Sequence, residues 1–139
     1  MGMDEIDERL IKLLKENGRA SYIELAKQVG LSEAAVRRRV KILHEKGIIR
    51  KFTIEVSMEK GANALTLISV SPSTPTTSVS ERLKNIKGVQ TVYEITGQYD
   101  IATLLAAPNI PEINKCVDEI RKVDGVANTN TIIILKILE

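Results

Sequence analysis

Apolar residues recur at helical spacing along the first third of the chain. Ile6, Leu10, Leu13 and Leu14 share one stripe, with Asp4 placed to cap their helix and Asn17-Gly18 to stop it in a left-handed turn. A second, shorter helix is expected from Ser21, carrying Ile23, Leu25, Ala26 and Val29 and breaking at Gly30. Leu31 packs the turn, and Ser32 opens a third helix whose seam is Val36, Val40 and Leu43, ending near Lys46-Gly47. From Arg50 to Val56 the period shortens to two, with β-branched residues, which predicts a strand. Ser57–Asn63 reads as a linker.

Beyond Ala64 the pattern becomes strand, helix, strand, strand, helix, strand: 65–70, 78–86, 89–96, 101–107, 110–123 and 126–138. Ile86-Lys87-Gly88-Val89 recurs thirty-seven residues on as Val123-Asp124-Gly125-Val126, each copy closing a helix and entering a strand, so the βαββαβ order contains a repeat. Ser78-Val79-Ser80-Glu81 reads as a capping box for the first of these helices. The fold expected is α+β, an N-terminal three-helix unit with a following strand over residues 1–60 joined to a ferredoxin-like βαββαβ domain over residues 61–139.

With 43% hydrophobic and 27% charged residues, the chain has the balance of a soluble globular protein. The longest apolar runs, such as Thr131–Leu135, fall far short of the ~20 residues a membrane helix needs, and the opening Met1-Gly2-Met3-Asp4-Glu5 is unlike a leader, so a cytoplasmic protein is expected. One histidine, His44, and one cysteine, Cys116, exclude a His-based zinc site and an internal disulfide. His44 lies beside Glu45 with no nucleophile near it in sequence and reads as a surface residue; Cys116, in phase with Ile113, Val117 and Ile120, reads as core.

A net charge of +2 excludes a chain-wide grip on nucleic acid, but the charge is uneven. Residues 19–51 hold nine basic against three acidic residues, whereas residues 61–139 are close to balanced. The basic stretch coincides with Ala20–Val40, where two short helices meet through small Ala26 with Gly30 in the turn, as a helix-turn-helix requires. With Val36, Val40 and Leu43 inward, Ala34, Arg38 and Lys41 point outward and Arg37 lies on the flank, while Arg39 falls nearer the seam. An isolated basic triplet is most often a solvated face. On the second helix of this motif it faces the major groove, with Lys41, Arg50 and Lys51 available to phosphates. Ser32, at the entrance to the helix, completes the candidate DNA set.

A second constellation is Gly97-Gln98-Tyr99-Asp100, between two strands, with the polar run Asn128-Thr129-Asn130-Thr131 opening the last strand. The four residues alone fit an ordinary hairpin turn equally well. A zwitterionic ligand needs amide N–H groups for its carboxylate and oxygens for its ammonium, and Gly97, Tyr99, Asp100, Thr129 and Thr131 offer both.

Together, Gly30-Leu31-Ser32, the Gly47-Ile48-Ile49 exit, Gly97-x-Tyr99-Asp100 and Gly125-Val126-x-x-Thr129-x-Thr131 resemble the Lrp/AsnC (leucine-responsive, feast/famine) transcription regulators over nearly the whole chain. The resemblance implies a regulator that binds double-stranded DNA through an N-terminal winged helix-turn-helix and senses a small amino acid between subunits of the C-terminal domain. No cofactor beyond that effector is expected, and the residue inventory gives no metal site and no catalytic residue. The long apolar last strand, Ile132–Leu138, independently predicts a homodimer, and the family's higher assemblies imply tetramers or octamers. The alternative is an effector-independent architectural regulator. RNA binding, which shares the βαββαβ order, would use exposed sheet aromatics, but only Tyr22, Phe52, Tyr93 and Tyr99 are present and no strand has a Gly-aromatic-Gly-aromatic signature. An enzyme on the same scaffold would need a nucleophile and base or paired acids, and none emerges.

Overall fold

Leu10, Leu25, Ala26, Val36 and Val40 form one buried cluster, which α1 (Glu5–Glu16), α2 (Tyr22–Val29) and α3 (Glu33–Glu45) surround. The computed structural model describes residues 2–56 and 61–138, and the chain divides into two compact units, Met1–Val56 and Ser57–Glu139. Each helix of the first unit starts on a capping side chain. Asp4 accepts from the Asp7 amide, Ser21 and Glu24 close a reciprocal capping box, and Ser32 accepts from the Ala35 amide. Gly30 at φ 72° ends α2 in the left-handed conformation and leads directly into α3.

Two expectations for this unit are corrected. Asn17 closes α1 in an extended conformation rather than a left-handed one, because its side-chain oxygen accepts the Arg19 amide while its own N–H reaches Leu13. Arg50–Val56 forms no strand, so the helix-turn-helix has no wing: Phe52, Ile54 and Val56 alternate as a strand would, but an isolated strand has no ladder to complete. The linker expected at Ser57–Asn63 lies in part outside the described residues, and Ala62 and Asn63 belong instead to the first strand.

The second unit runs β1 (Ala62–Val70), α4 (Thr76–Leu83), β2 (Val89–Glu94), β3 (Ile101–Ala107), α5 (Ile110–Arg121), β4 (Val126–Ile134). The four strands form one antiparallel sheet in the order β2-β3-β1-β4. Val79 and Leu83 of α4 and Ile113, Cys116, Val117 and Ile120 of α5 bury Ala64, Ile68, Ile101 and Leu105 on one face. Burial pushes the Cys116 thiol pKa up, as expected of a core cysteine. On the opposite face Leu65 sits between Leu104 and Ile132, and no described element of this unit covers them.

Here too the boundaries differ from the sequence pattern. The capping box at Ser78 does not form; α4 starts two residues earlier behind Pro75, whose carbonyl accepts the Ser78 hydroxyl. β4 stops at Ile134, not Leu138, because its partner β1 begins at Ala62 and offers Asn63 as the last pairing position. The repeat is real in three dimensions. Gly88 and Gly125 both take φ 98° between helix and strand, although the helices end before them, at Leu83 and Arg121, so neither glycine holds the position directly after a helix cap that the pattern gives it. A Cβ on Gly125 would stand 2.6 Å from Thr74 Cγ2 and 3.0 Å from Thr74 Cβ, so neither the backbone angle nor the space admits a side chain. Gly97, also at positive φ, has nothing within 4 Å of such a Cβ. Gly125→Ala is therefore expected to destabilise the unit by about 2–4 kcal/mol, the left-handed strain plus overpacking, against about 1 kcal/mol for Gly97→Ala, as measured by urea unfolding.

Candidate functional site

The outward face of α3 is set by what the helix buries. Val36, Val40 and Leu43 are enclosed, leaving Ala34, Arg37, Arg38 and Lys41 exposed, in the phase the sequence predicts. The three consecutive arginines then have three different surroundings. Arg39 is turned back onto α1, where its guanidinium donates to Asp4 at 2.6 Å and Asp7 at 3.1 Å. Arg37 donates through Nη2 to Glu33 at 2.8 Å, and its guanidinium carbon lies 4.8 Å from the centre of the Tyr22 ring. Arg38 makes no ion pair, side-chain hydrogen bond or ring contact among the described residues.

Lys41 lies 4.0 Å from Glu45, a loose pair on an exposed turn, and Lys51 is exposed on the irregular segment after α3. Ser32 is at the entrance of the helix, but its hydroxyl is engaged as the cap of α3. Sequence reasoning had no place for Glu33 and Tyr22 in this face. Glu33 was detectable as a partner four residues before Arg37. Tyr22 was not, since its meeting with Arg37 depends on how α2 crosses α3.

In the second unit, the Gly97–Asp100 turn and the start of β4 flank one end of β1. Ile68 pairs with Ile101 on one side and Thr129 on the other, which at ~4.8 Å between strands puts Thr129 about 10 Å from Ile101. Asp100 accepts the Val70 amide through Oδ2 at 2.7 Å, and its own amide donates to Ile68, so the turn is tied to β1 from both sides of one residue. Gly97 is exposed at φ 114° and Tyr99 is half-buried. Thr129 accepts from Arg121 Nε at 3.1 Å, beside a polar groove of about 340 Å³ that Arg121, Asn128 and Thr129 help to line. Arg121 was missed by sequence reasoning, being one of several charges at the end of α5.

Thr131 lies further from the turn and faces the helices. Its hydroxyl is 3.1 Å from that of Thr66, while the Thr103 hydroxyl donates to the Thr66 carbonyl, forming a polar row across three strands. The structure thus brings Gly97, Tyr99, Asp100 and Thr129 to one end of the sheet and holds Thr131 within it. Among the described residues no group of His, Cys, Asp and Glu has metal-site geometry, and no helix is long and apolar enough to cross a membrane.

These features agree with comparisons to known proteins. Residues 3–44 match the model of the AsnC-type helix-turn-helix domain, and residues 63–139 that of the Lrp/AsnC ligand binding domain. The chain is 42% identical over 134 residues to the HTH-type transcriptional regulator LysM of Saccharolobus solfataricus, covering 96% of this chain and 94% of that protein. It is 37% identical over 138 residues to the HTH-type transcriptional regulator FL11 of Pyrococcus abyssi, covering 98% and 91%. Its structure resembles that of E. coli AsnC with a TM-score of 0.84 at 26% identity, covering 100% of this chain and 97% of that one.

The Arg39–Asp4 contact carries a pH signature. The guanidinium hydrogen bond, helped by the Asp7 amide, holds the Asp4 carboxyl below its ordinary value of 3.8. A depressed carboxyl contributes stability that is present above its unfolded pKa and lost as pH falls through its folded one. Asp4→Asn keeps the helix cap and removes the charge. It is expected to lower the urea midpoint at pH 7, and the gap to the unsubstituted protein should close on acidification below about pH 4.

Proposed function

Because this chain belongs to the Lrp/AsnC family of DNA-binding transcription regulators, we propose that it recognises a specific operator in the cytoplasm and adjusts that binding to a small amino acid. The observation that carries the DNA reading is the sorting of charge on α3: Arg39 is turned inward onto two carboxylates while Ala34, Arg37, Arg38 and Lys41 are left outward. Residues 1–60 serve as the DNA-binding domain. Arg38, without a protein partner among the described residues, reads a base edge; Ser32, Ala34 and Arg37 line the same face, and Lys41 and Lys51 reach phosphates.

Residues 61–139 serve as the effector and assembly domain. The sheet face bearing Leu65, Leu104 and Ile132 supports a homodimer in which two such faces pack together, assembling further to tetramers or octamers. A dimer sets two recognition helices one DNA turn or a multiple apart, ~34 Å per turn, which favours inverted-repeat operators. The effector reading rests on the end of the sheet where the Gly97–Asp100 turn and Thr129 flank β1. Amides near Gly97 and Tyr99 hold the ligand carboxylate, and Asp100 with the Thr129 and Thr131 hydroxyls assists the ammonium. The second reading, an architectural regulator without effector, is favoured by one observation: an Asp100 oxygen and the Thr131 hydroxyl already have partners inside the sheet.

Arg38→Ala is expected to weaken operator binding by about 1–3 kcal/mol, whereas Lys51→Ala should lower affinity for every duplex and reduce the salt slope by about 1. Wild-type behaviour of both in titrations over a range of salt would remove the assignment of α3. For the effector, calorimetry with the twenty amino acids should give heat for a small subset, weakened in Asp100→Ala. Light scattering should show a mass of at least a dimer, with ligand shifting assembly or DNA affinity by about 1–3 kcal/mol. Absence of heat with all twenty leaves the architectural regulator.

A further inference from the structure

The three arginines of α3 differ in how firmly each is held before any DNA arrives. Arg37 is exposed, its side chain 60% accessible, yet it is constrained on two sides: the Glu33 carboxylate takes one N–H at 2.8 Å, and the Tyr22 ring supports the guanidinium at 4.8 Å. Glu33 lies one turn before Arg37 on the same helix, and Tyr22 is the first residue of α2, capped by the Ser21 box and half-buried against the core cluster. Both supports are therefore fixed to rigid elements. A guanidinium carries five donors, and the bond to Glu33 uses one, so donors remain for an acceptor outside the protein.

From this arrangement we infer that Tyr22 is a positioning residue for DNA recognition, holding Arg37 with Glu33 in one orientation so that Arg37 contributes sequence preference. The inference rests on the assignment of Arg37 to the DNA face. A base edge is discriminated by donors at fixed angles, whereas a phosphate accepts a charge from many directions, so an ordered guanidinium gains most against a base. A cation–π contact with an aromatic face restrains the group while leaving N–H donors free for an outside acceptor. Lys41 has only a loose pair at 4.0 Å, and its flexible ammonium suits a phosphate. The Glu33 carboxylate adds to the same preference, because a negative charge beside the groove disfavours any register in which Arg37 does not offset it.

The test is a double-mutant cycle read on two duplexes, a selected operator and an unrelated sequence of equal length. Tyr22→Leu keeps apolar packing and removes the π face; Tyr22→Phe keeps the π face and removes only the hydroxyl. Arg37→Ala is expected to lose about tenfold on the operator and less on the unrelated duplex. Tyr22→Leu should reproduce most of that loss of preference when both proteins are compared well below their melting temperatures. The double variant Tyr22→Leu/Arg37→Ala should bind within about twofold of Arg37→Ala alone, and Tyr22→Phe within about twofold of the unsubstituted protein. If the two single losses multiply in the double variant, or if Arg37→Ala weakens operator binding while Tyr22→Leu does not, the inference is overturned and the DNA role of Arg37 stands. If Arg37→Ala binds both duplexes like the unsubstituted protein, the assignment of Arg37 falls and the inference with it.

Discussion

On the recognition-side helix α3 and in the sheet, the direction of an outward-facing group is set by the residues buried behind it. On α3, enclosing Val36, Val40 and Leu43 fixes the rotation of the helix, and a period of 3.6 then leaves no choice about which side chains face outward. The same constraint with a period of two operates in the sheet. Burying Ala64, Thr66 and Ile68 under α4 and α5 assigns Leu65 and Leu67 to the opposite face. Function in both units is thus a by-product of phase, and a shift of one residue would exchange interior for surface.

Polar groups inside the sheet follow a second constraint, that a buried donor or acceptor must find a partner. The threonines at 66, 103 and 131 satisfy one another across three strands, and among the described residues no enclosed side-chain nitrogen or oxygen is left without a partner. Asp100 works in the same way at the rim, closing the end of β1 through the Val70 amide. The Gly97–Asp100 turn therefore has a fixed geometry before any ligand is considered. What remains open there is one carboxylate oxygen and the backbone around a glycine.

Element type and order were legible in the sequence because they rest on long periodic segments: the two helices around Gly30 and the βαββαβ order stand where the pattern puts them. Boundaries were less legible where a partner decides them. β4 ends where β1 runs out, α1 ends on the Asn17 side chain, and Arg50–Val56 has the alternation of a strand without a neighbour to pair with. On α3, the exposure of Arg38 and the inward turn of Arg39 could be read from helical phase alone. The cation–π contact of Arg37 with Tyr22 could not, since the two residues meet only through the crossing of separate helices, and the turning of Thr131 toward Thr66 required the register of β1 against β4.

The strand order β2-β3-β1-β4 also bears on how the chain comes into being. β1 is central, yet one of its two neighbours is the last of the sheet's four strands, Val126–Ile134. A polypeptide emerging from the ribosome would present β1 with one edge unpaired until the residues of β4 had also been released. The three helices of residues 2–56, by contrast, close their cluster from contacts within that stretch, and domains with local contacts fold early during synthesis. The order of birth is then built into the topology: the half that carries the basic helix matures first, and the half that carries the sheet can close only after its final strand has left the ribosome.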